Sequence, residues 1–397
     1  MNLPFETIDR LPIEGKRLLL RVDFNVPLTP EGDIADDSRI RMSLPTIRHA
    51  LERGSRVILM SHLGRPKGSV KPELSLRPVA ARLAELLEKP VSLAPDCVGP
   101  EAEKMASALG EGEILLLENL RFHKEETKND PAFARALASL GKVYVDDAFG
   151  AVHRAHASVA GVPGFMAVKG GGFLLKKEVE ALTRVREADT ERFVLILGGA
   201  KVSDKLGILL SLMEKAHAIL IGGAMAYTFL KVQGFEVGKS LVEEASISDA
   251  EAVLKKAKET KTDFLLPVDH VAATGISETA PRQTTDDANI PAPYMGVDIG
   301  PKTARAYAGQ LRDATMIFWN GPMGVFEVAP FARGTFEVAK AVAASPGESY
   351  VGGGDSVRAL HASGVAEQIT HISSGGGASL EFLEGKPLPG IEALKAQ

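Results

Sequence analysis

Cysteine is nearly absent from this sequence: Cys97 is the single thiol among 397 residues. One thiol can form neither an internal disulfide nor a thiolate cage for a metal, which fits a reducing compartment. An excess of charge is missing as well. Lys and Arg total 46 against 51 Asp and Glu, a net charge of −5. That balance removes any bulk-charge argument for nucleic-acid or anionic-membrane binding and leaves room only for a local basic patch. Long apolar runs are lacking too. The longest uncharged stretch, residues 216–230, contains His217, Gly222 and Gly223 and falls short of the roughly 20 residues a membrane-spanning helix needs. Glu6, Asp9 and Glu14 stand where a secretory leader carries basic and then apolar residues, so no targeting segment is expected. No glycine cluster reads G-x-G-x-x-G, which counts against hydride chemistry on a dinucleotide. What remains is the expectation of a soluble, cytoplasmic, multi-domain protein, with no nucleic acid and no membrane among its partners. Its composition suits a monomer.

What is present is an alternation. The length gives a prior of two or three domains. Short apolar runs recur: Leu18 to Leu20, Val57 to Met60, Ile114 to Leu117 and Val143 to Val145 in the first half. Phe193 to Leu197, Ala218 to Ile221, Phe264 to Leu266, Met316 to Trp319 and Tyr350-Val351 follow in the second. Apolar throughout, they suit parallel strands covered on both faces. Helical segments separate them. Ser43 caps one, with Pro45 in its first turn, Leu44, Ile47 and Leu51 on one face, and Gly54 at its end; Asp130-Pro131 opens another. This β-α-β-α order predicts a doubly wound, Rossmann-like α/β architecture. Gly170 to Gly172 reads as a break, and the richly charged helical stretch 176–192 reads as a bridge between two bodies.

Open parallel sheets bind ligands beyond the carboxyl ends of their strands, and here the two halves differ. First-half strand ends carry Arg21, Asp23 and Asn25, then His62 and Arg65, then Arg121, then Asp146 and Asp147 running on to His153, Arg154 and His156. Singly, each arginine is a surface ion pair worth at most about 1 kcal/mol. Together with Arg39, placed in the loop after the first strand, they predict a cationic basin for a small, multiply anionic molecule, because guanidinium pairs bidentately with phosphate or carboxylate. Second-half strand ends are glycine-rich: Gly198-Gly199 before Lys201 and Lys205, with Ser203 as helix cap, then Gly222-Gly223, Asn320-Gly321, Gly352-Gly353-Gly354-Asp355-Ser356 and Gly375-Gly376-Gly377. Such turns let a phosphate approach the backbone and meet the positive start of a helix. Asp355 is either a plain helix cap or a magnesium carboxylate.

Two decoys are set aside. Residues 234–240 resemble a P-loop but have one spacer too few and follow a helical segment. His153 and His156 near Asp146 and Asp147 mimic a metal site, yet Arg154 between them repels a cation, so an anion-binding or structural role is expected.

Taken in order, several strings resemble the phosphoglycerate kinase family across almost the whole chain. They are Arg21-Val22-Asp23-Phe24-Asn25-Val26-Pro27, Ser61-His62-Leu63-Gly64-Arg65-Pro66, Glu118-Asn119-Leu120-Arg121-Phe122, Asp146 to Gly150 with His153 to Ser158, Gly198 to Lys205, Trp319 to Glu327, and Gly352 to Ser356. The resemblance implies two α/β domains facing across a cleft. Residues 1–175, joined by the tail 380–397, would bind 3-phosphoglycerate or 1,3-bisphosphoglycerate; 176–192 would be the hinge helix; 193–379 would bind MgADP or MgATP. It implies substrate contacts at Asp23, Phe24, Asn25, Arg39, His62, Leu63, Gly64, Arg65, Arg121 and Arg154. It implies nucleotide contacts at Lys201, Lys205, Gly222, Gly223, Gly296, Asn320, Glu327, Gly353, Gly354, Asp355 and Ser356, with Glu327 on the ribose and Asp355 on Mg²⁺. Ser356 stands where the family usually has Thr, and Ala224 where a third glycine is common.

The implied reaction passes a phosphoryl group between ADP and a carboxylate. A carboxylate is ionised at neutral pH, with a pKa near 4, so no general base is expected. Arg39, Lys205 and the main-chain N–H groups at Gly353 and Gly375 are the expected contacts of the transferring group. A non-catalytic two-lobed sugar-phosphate sensor is the rival; it explains the arginines but leaves Lys201, Lys205, Glu327 and the glycine-rich helix starts without a purpose.

Overall fold

In the computed structural model, which describes residues 3–260 and 262–395, every apolar run named above forms a parallel strand. The first six strands are β1 (Arg17–Arg21), β2 (Arg56–Met60), β3 (Val91–Leu93), β4 (Ile114–Leu116), β5 (Val143–Asp146) and β6 (Lys169–Gly171). They make one parallel sheet in the order β3-β4-β2-β1-β5-β6. Next come β7 (Phe193–Leu197), β8 (Ala218–Ile221), β9 (Asp263–Leu265), β10 (His270–Ala273), β11 (Arg282–Thr284), β12 (Met295–Ile299), β13 (Met316–Asn320), β14 (Glu348–Gly352) and β15 (His371–Ile372). A second six-stranded parallel sheet has the order β15-β14-β13-β7-β8-β9, and β11-β10-β12 form a small antiparallel sheet. Every residue of β7 is buried. That is why these strands are continuously apolar: both faces pack on helices. Leu18, Leu20, Val57 and Val145 share a core with Ile40 and Ile47, and Val194, Ile196, Ile317 and Trp319 share one with Tyr307, Val338 and Leu360.

Each large sheet has a point where its strand order reverses. In the first the chain leaves β1 for β2 on one side and later returns to β5 on the other; in the second, β8 and β13 flank β7 in the same way. Ligand crevices form at the carboxyl ends of such strand pairs. Arg21 and Asp146 end β1 and β5, and Asn320 ends β13 beside the Gly198-Gly199 turn after β7.

By its contacts the chain divides into two units, Met1–Glu180 with Pro387–Gln397, and Ala181–Lys386. The charged helix runs Phe173–Arg186, so it starts and ends earlier than 176–192, and the division falls inside it. The return to the first unit begins at Pro387, not at 380, because helix Gly377–Leu383 still packs in the second unit. Helix Pro389–Leu394 then joins the first unit, the Gly390 N–H donating to Val152 O at 2.8 Å. Gly170 and Gly171 are not a break. They lie in edge strand β6, where a Cβ would collide with Glu6 O and the Phe5 ring.

One helix boundary matters for the site. The helix expected to start at Ser43 runs Ser38–Glu52, with Pro45 inside it. Asp36 Oδ1 accepts the Ser38 N–H at 2.7 Å and supports the earlier start. Arg39 therefore stands on the first helical turn and not in a loop.

Candidate active site

The first unit gathers guanidinium groups at the carboxyl ends of its strands. Asn119 Oδ1 accepts the Arg121 N–H at 3.1 Å and pins the turn after β4. Arg121 Nη1 then donates to Gly64 O at 2.9 Å, tying the ends of β4 and β2 together. Arg65, Arg121 and Arg154 line one cavity of about 330 Å³, with Lys67, Gly68, His123, Lys124, Thr127 and His156. Arg121 is only 7 % exposed, and burial first, then Arg154 and Arg21, push its pKa down to about 10. A largely buried guanidinium with two further arginines beside it suits an anionic ligand.

Arg21 is not part of that lining. It is fully buried, donating to Ser158 Oγ at 2.9 Å and to Val22 O, with Nη2 3.0 Å from His62 Nδ1. Glu126 takes the Ser158 N–H and hydroxyl at 2.9 and 2.6 Å, so Arg21 braces the cavity from behind through Ser158. Burial, followed by Arg21 and then Arg121, holds His62 well below the ordinary histidine value, and burial with the same two arginines brings His156 down to about 4. Both rings are neutral at pH 7, and the cavity's positive charge is carried by its arginines and lysines. Asp23 pairs with Arg39 and accepts the Asn25 N–H, while Asn25 Oδ1 accepts the Gly64 N–H at 2.8 Å. Phe24 and Leu63 are core residues, fully buried and 1 % exposed, so a part for them in binding is limited to the main chain.

The second unit presents its glycine turns at the β7/β13 reversal. Lys205 Nζ donates to Asn320 Oδ1, Asn320 Nδ2 donates to Gly352 O at 2.7 Å, and burial lowers the Lys205 pKa. Ser203 is not the helix cap; helix Leu206–Leu212 is preceded by Lys205, and Ser203 Oγ donates to Glu243 Oε1 at 2.5 Å. Lys201 is exposed.

Several of the glycines serve the packing of strand ends before any ligand. A Cβ at Gly198 would collide with Pro322 O, one at Gly222 with Met323 Sδ, one at Gly296 with the Tyr227 hydroxyl, and one at Gly223 would sit 2.5 Å from Gly199 N and O. Gly354 and Gly376 differ: a Cβ there meets nothing within 4 Å. Helix Gly354–Ser363 starts after Gly353 at φ 93° with no side-chain cap on its first N–H groups. Ser356 is fully buried and its hydroxyl accepts the Gly321 N–H at 2.6 Å, so it docks the β13 end onto this helix. The Gly375 N–H is already spent on Ser373 Oγ at 3.2 Å. Asp355 is exposed on the first turn of helix Gly354–Ser363. A hard carboxylate beside the uncapped helix start fits Mg²⁺ held jointly with phosphate oxygens.

These two half-sites can be set beside known proteins. The family model "Phosphoglycerate kinase" matches residues 8–386. The chain belongs to the phosphoglycerate kinase family. The phosphoglycerate kinase of Moorella thermoacetica is 57% identical over 389 residues, covering 98% of each chain, and that of Anaeromyxobacter sp. (strain K) is 55% identical over 395 residues, covering 99% of this chain and 100% of its own. Among solved structures, phosphoglycerate kinase from Coxiella burnetii matches with a TM-score of 0.88 at 41% identity, covering 98% of this chain and 99% of its own. That from Pyrococcus horikoshii OT3 matches at 0.85 and 34%, covering 98% of each. Family membership makes the chain a glycolytic kinase, an ATP-dependent transferase, and disfavours the non-catalytic sensor.

Sequence reasoning missed Lys67, Lys124 and Thr127 in the cavity, although Lys124 stands only three residues after Arg121, while His156, expected in an anion-binding or structural role, does line it. It singled out His153 and His156 as a metal decoy; among the described residues the one trio of neighbouring candidate ligands is Asp96, Cys97 and His123 instead.

Proposed function

We propose that the first unit holds 3-phosphoglycerate, or 1,3-bisphosphoglycerate in reverse, with its phosphate in the Arg65–Arg121–Arg154 cavity and its carboxylate near Arg39, Asp23 and Asn25. MgADP or MgATP is held by the second unit: phosphates at the Gly353-Gly354 helix start and Lys205, ribose at Glu327, metal at Asp355. The observation that carries this reading is the convergence of three guanidiniums on one small cavity, with the Arg121 pKa depressed by burial and then by Arg154 and Arg21.

The nucleophile is the carboxylate of 3-phosphoglycerate, ionised without help, so no residue acts as a base. Mg²⁺ supplies charge neutralisation between the phosphates. Everything else is positioning. Arg39 and Lys205 rest on Asp23 and Asn320 in the free chain, and both leave those partners to meet the charge spread over the transferring group. Neutral His62 and His156 accept or donate hydrogen bonds without adding a titrating charge. In-line transfer needs reacting atoms about 3–3.5 Å apart. Ligands held by separate units must therefore be brought together during turnover, with helix Phe173–Arg186 as the proposed hinge and water excluded on closure. The protein is proposed to act as a cytoplasmic monomer, each half-site being built from residues of one chain.

The test is a coupled assay of acyl-phosphate formation from ATP and 3-phosphoglycerate, run beside small-angle scattering. Activity is expected together with a compaction that needs both ligands. Activity without any compaction would refute the hinge, and no activity would refute the whole reading.

A further inference from the structure

Arg358 has no part in the account so far. It lies on helix Gly354–Ser363, three residues after Asp355. Its Nη2 donates to Asp355 Oδ1 at 2.8 Å and also to Glu327 Oε1 at 3.1 Å. The guanidinium carbon stands 5.6 Å from the centroid of the Phe326 ring. One cation thus gathers two carboxylates, Glu327 from the segment after β13 and Asp355 from the first turn of its own helix, and rests on an aromatic face. A cation this close to a helix start works against the helix dipole, which favours anions there. The two carboxylates offset that cost. All three side chains stay about half exposed or more, at 60%, 49% and 64% for Arg358, Glu327 and Asp355, so an incoming ligand can compete for them. Lys205, the other cation facing Asp355, is held by Asn320.

We propose that Arg358 is a positioning residue that competes with Mg²⁺ for Asp355 while holding Glu327 in place, and so sets the magnesium dependence of nucleotide binding. The proposal rests on the reading of Asp355 as the metal carboxylate. A divalent cation needs the oxygen that the guanidinium occupies. When it arrives, Arg358 gives up Asp355 and keeps Glu327 and the Phe326 face. Metal-free nucleotide gains nothing from this exchange.

Calorimetric titration of ADP into the full chain at a series of free Mg²⁺ concentrations tests this, with thermal unfolding as a check on folding. In R358Q the Mg²⁺ concentration giving half-maximal ADP affinity is expected to fall about three-fold, the scale of one exposed ion pair, with affinity for metal-free ADP not improved. R358K, which keeps a charge but cannot span both carboxylates, is expected between R358Q and the parent. D355N is expected to raise the midpoint at least ten-fold. A midpoint unchanged or raised in R358Q and R358K, with D355N still raised, overturns the competition and leaves Asp355 as the metal carboxylate. An unchanged midpoint in D355N overturns the metal assignment and this proposal with it.

Discussion

Replacing Arg121 by methionine separates a binding residue from a structural one. Arg121 is 7 % exposed, makes one hydrogen bond to Gly64 O, and has Arg154 and Arg21 as cationic neighbours. Its pKa is pushed down to about 10, chiefly by burial; at 1.36 kcal/mol per unit, keeping it charged in the ligand-free protein costs about 3 kcal/mol. Losing the Gly64 bond costs about 1 kcal/mol, and methionine fills most of the same volume. The ligand-free variant is therefore expected to be as stable as the parent or more so, by about 0–2 kcal/mol. The phosphate of 3-phosphoglycerate, by contrast, loses one or two charge-assisted hydrogen bonds of about 1.5–3 kcal/mol each. Affinity should drop on the order of 100-fold or more, while MgADP affinity stays put. Urea unfolding without ligand and calorimetry with each ligand measure the three quantities. A variant that loses stability but keeps its 3-phosphoglycerate affinity would refute the reasoning, since Arg121 would then be a brace.

Arg39→Ala is expected to lower kcat by orders of magnitude with MgADP affinity intact; an equal loss of nucleotide affinity in calorimetry would put Arg39 elsewhere. Gly198→Ala forces a Cβ into Pro322 O and should destabilise the second unit by about 3 kcal/mol, read as a lowered unfolding midpoint. Gly354→Ala meets nothing, so it should leave that midpoint alone and weaken MgADP binding; the reverse pattern would refute the assignment of open and packed glycines. Asp147 is fully buried, and burial pushes its carboxyl up to about 8. The native state then keeps a proton that the unfolded chain gives up above pH 4, so the stability this group contributes is lost as pH rises from about 4 to 8. Asp147→Asn should flatten that decline in urea midpoints between pH 5 and 8.5, and an unchanged slope would sink the idea.

Parallel strands and their ends were legible because local chemistry writes them: short apolar runs such as Phe193 to Leu197, bounded by glycine and alternating with helical segments, suit strands buried on both faces, and the residues that follow stand beside one another once the strands are parallel. Strand β11 was not legible, since Arg282 to Thr284 are all exposed and carry no apolar signal. Strand β6 was hidden for the opposite reason. Its glycines look like a break, but pairing with β5 makes them a strand, and the close approach of Phe5 and Glu6, far away in sequence, requires that they be glycine.

Sequence alone determined the α/β architecture of parallel strands and, through the ordered motifs, the family. Those follow from residue type and order. Tertiary structure decided which members of each set of strand-end residues are buried and which stay open to solvent. Arg21 was one arginine among several until its burial against Ser158 and His62 made it a brace, and Ser356 is buried with its hydroxyl accepting the Gly321 N–H, which leaves only its O–H to offer a phosphate. Gly198 and Gly354 are the same residue in sequence, yet one is pressed against a neighbouring loop and the other faces open space. Burial and long-range partners are properties of the packed chain, and no local pattern encodes them.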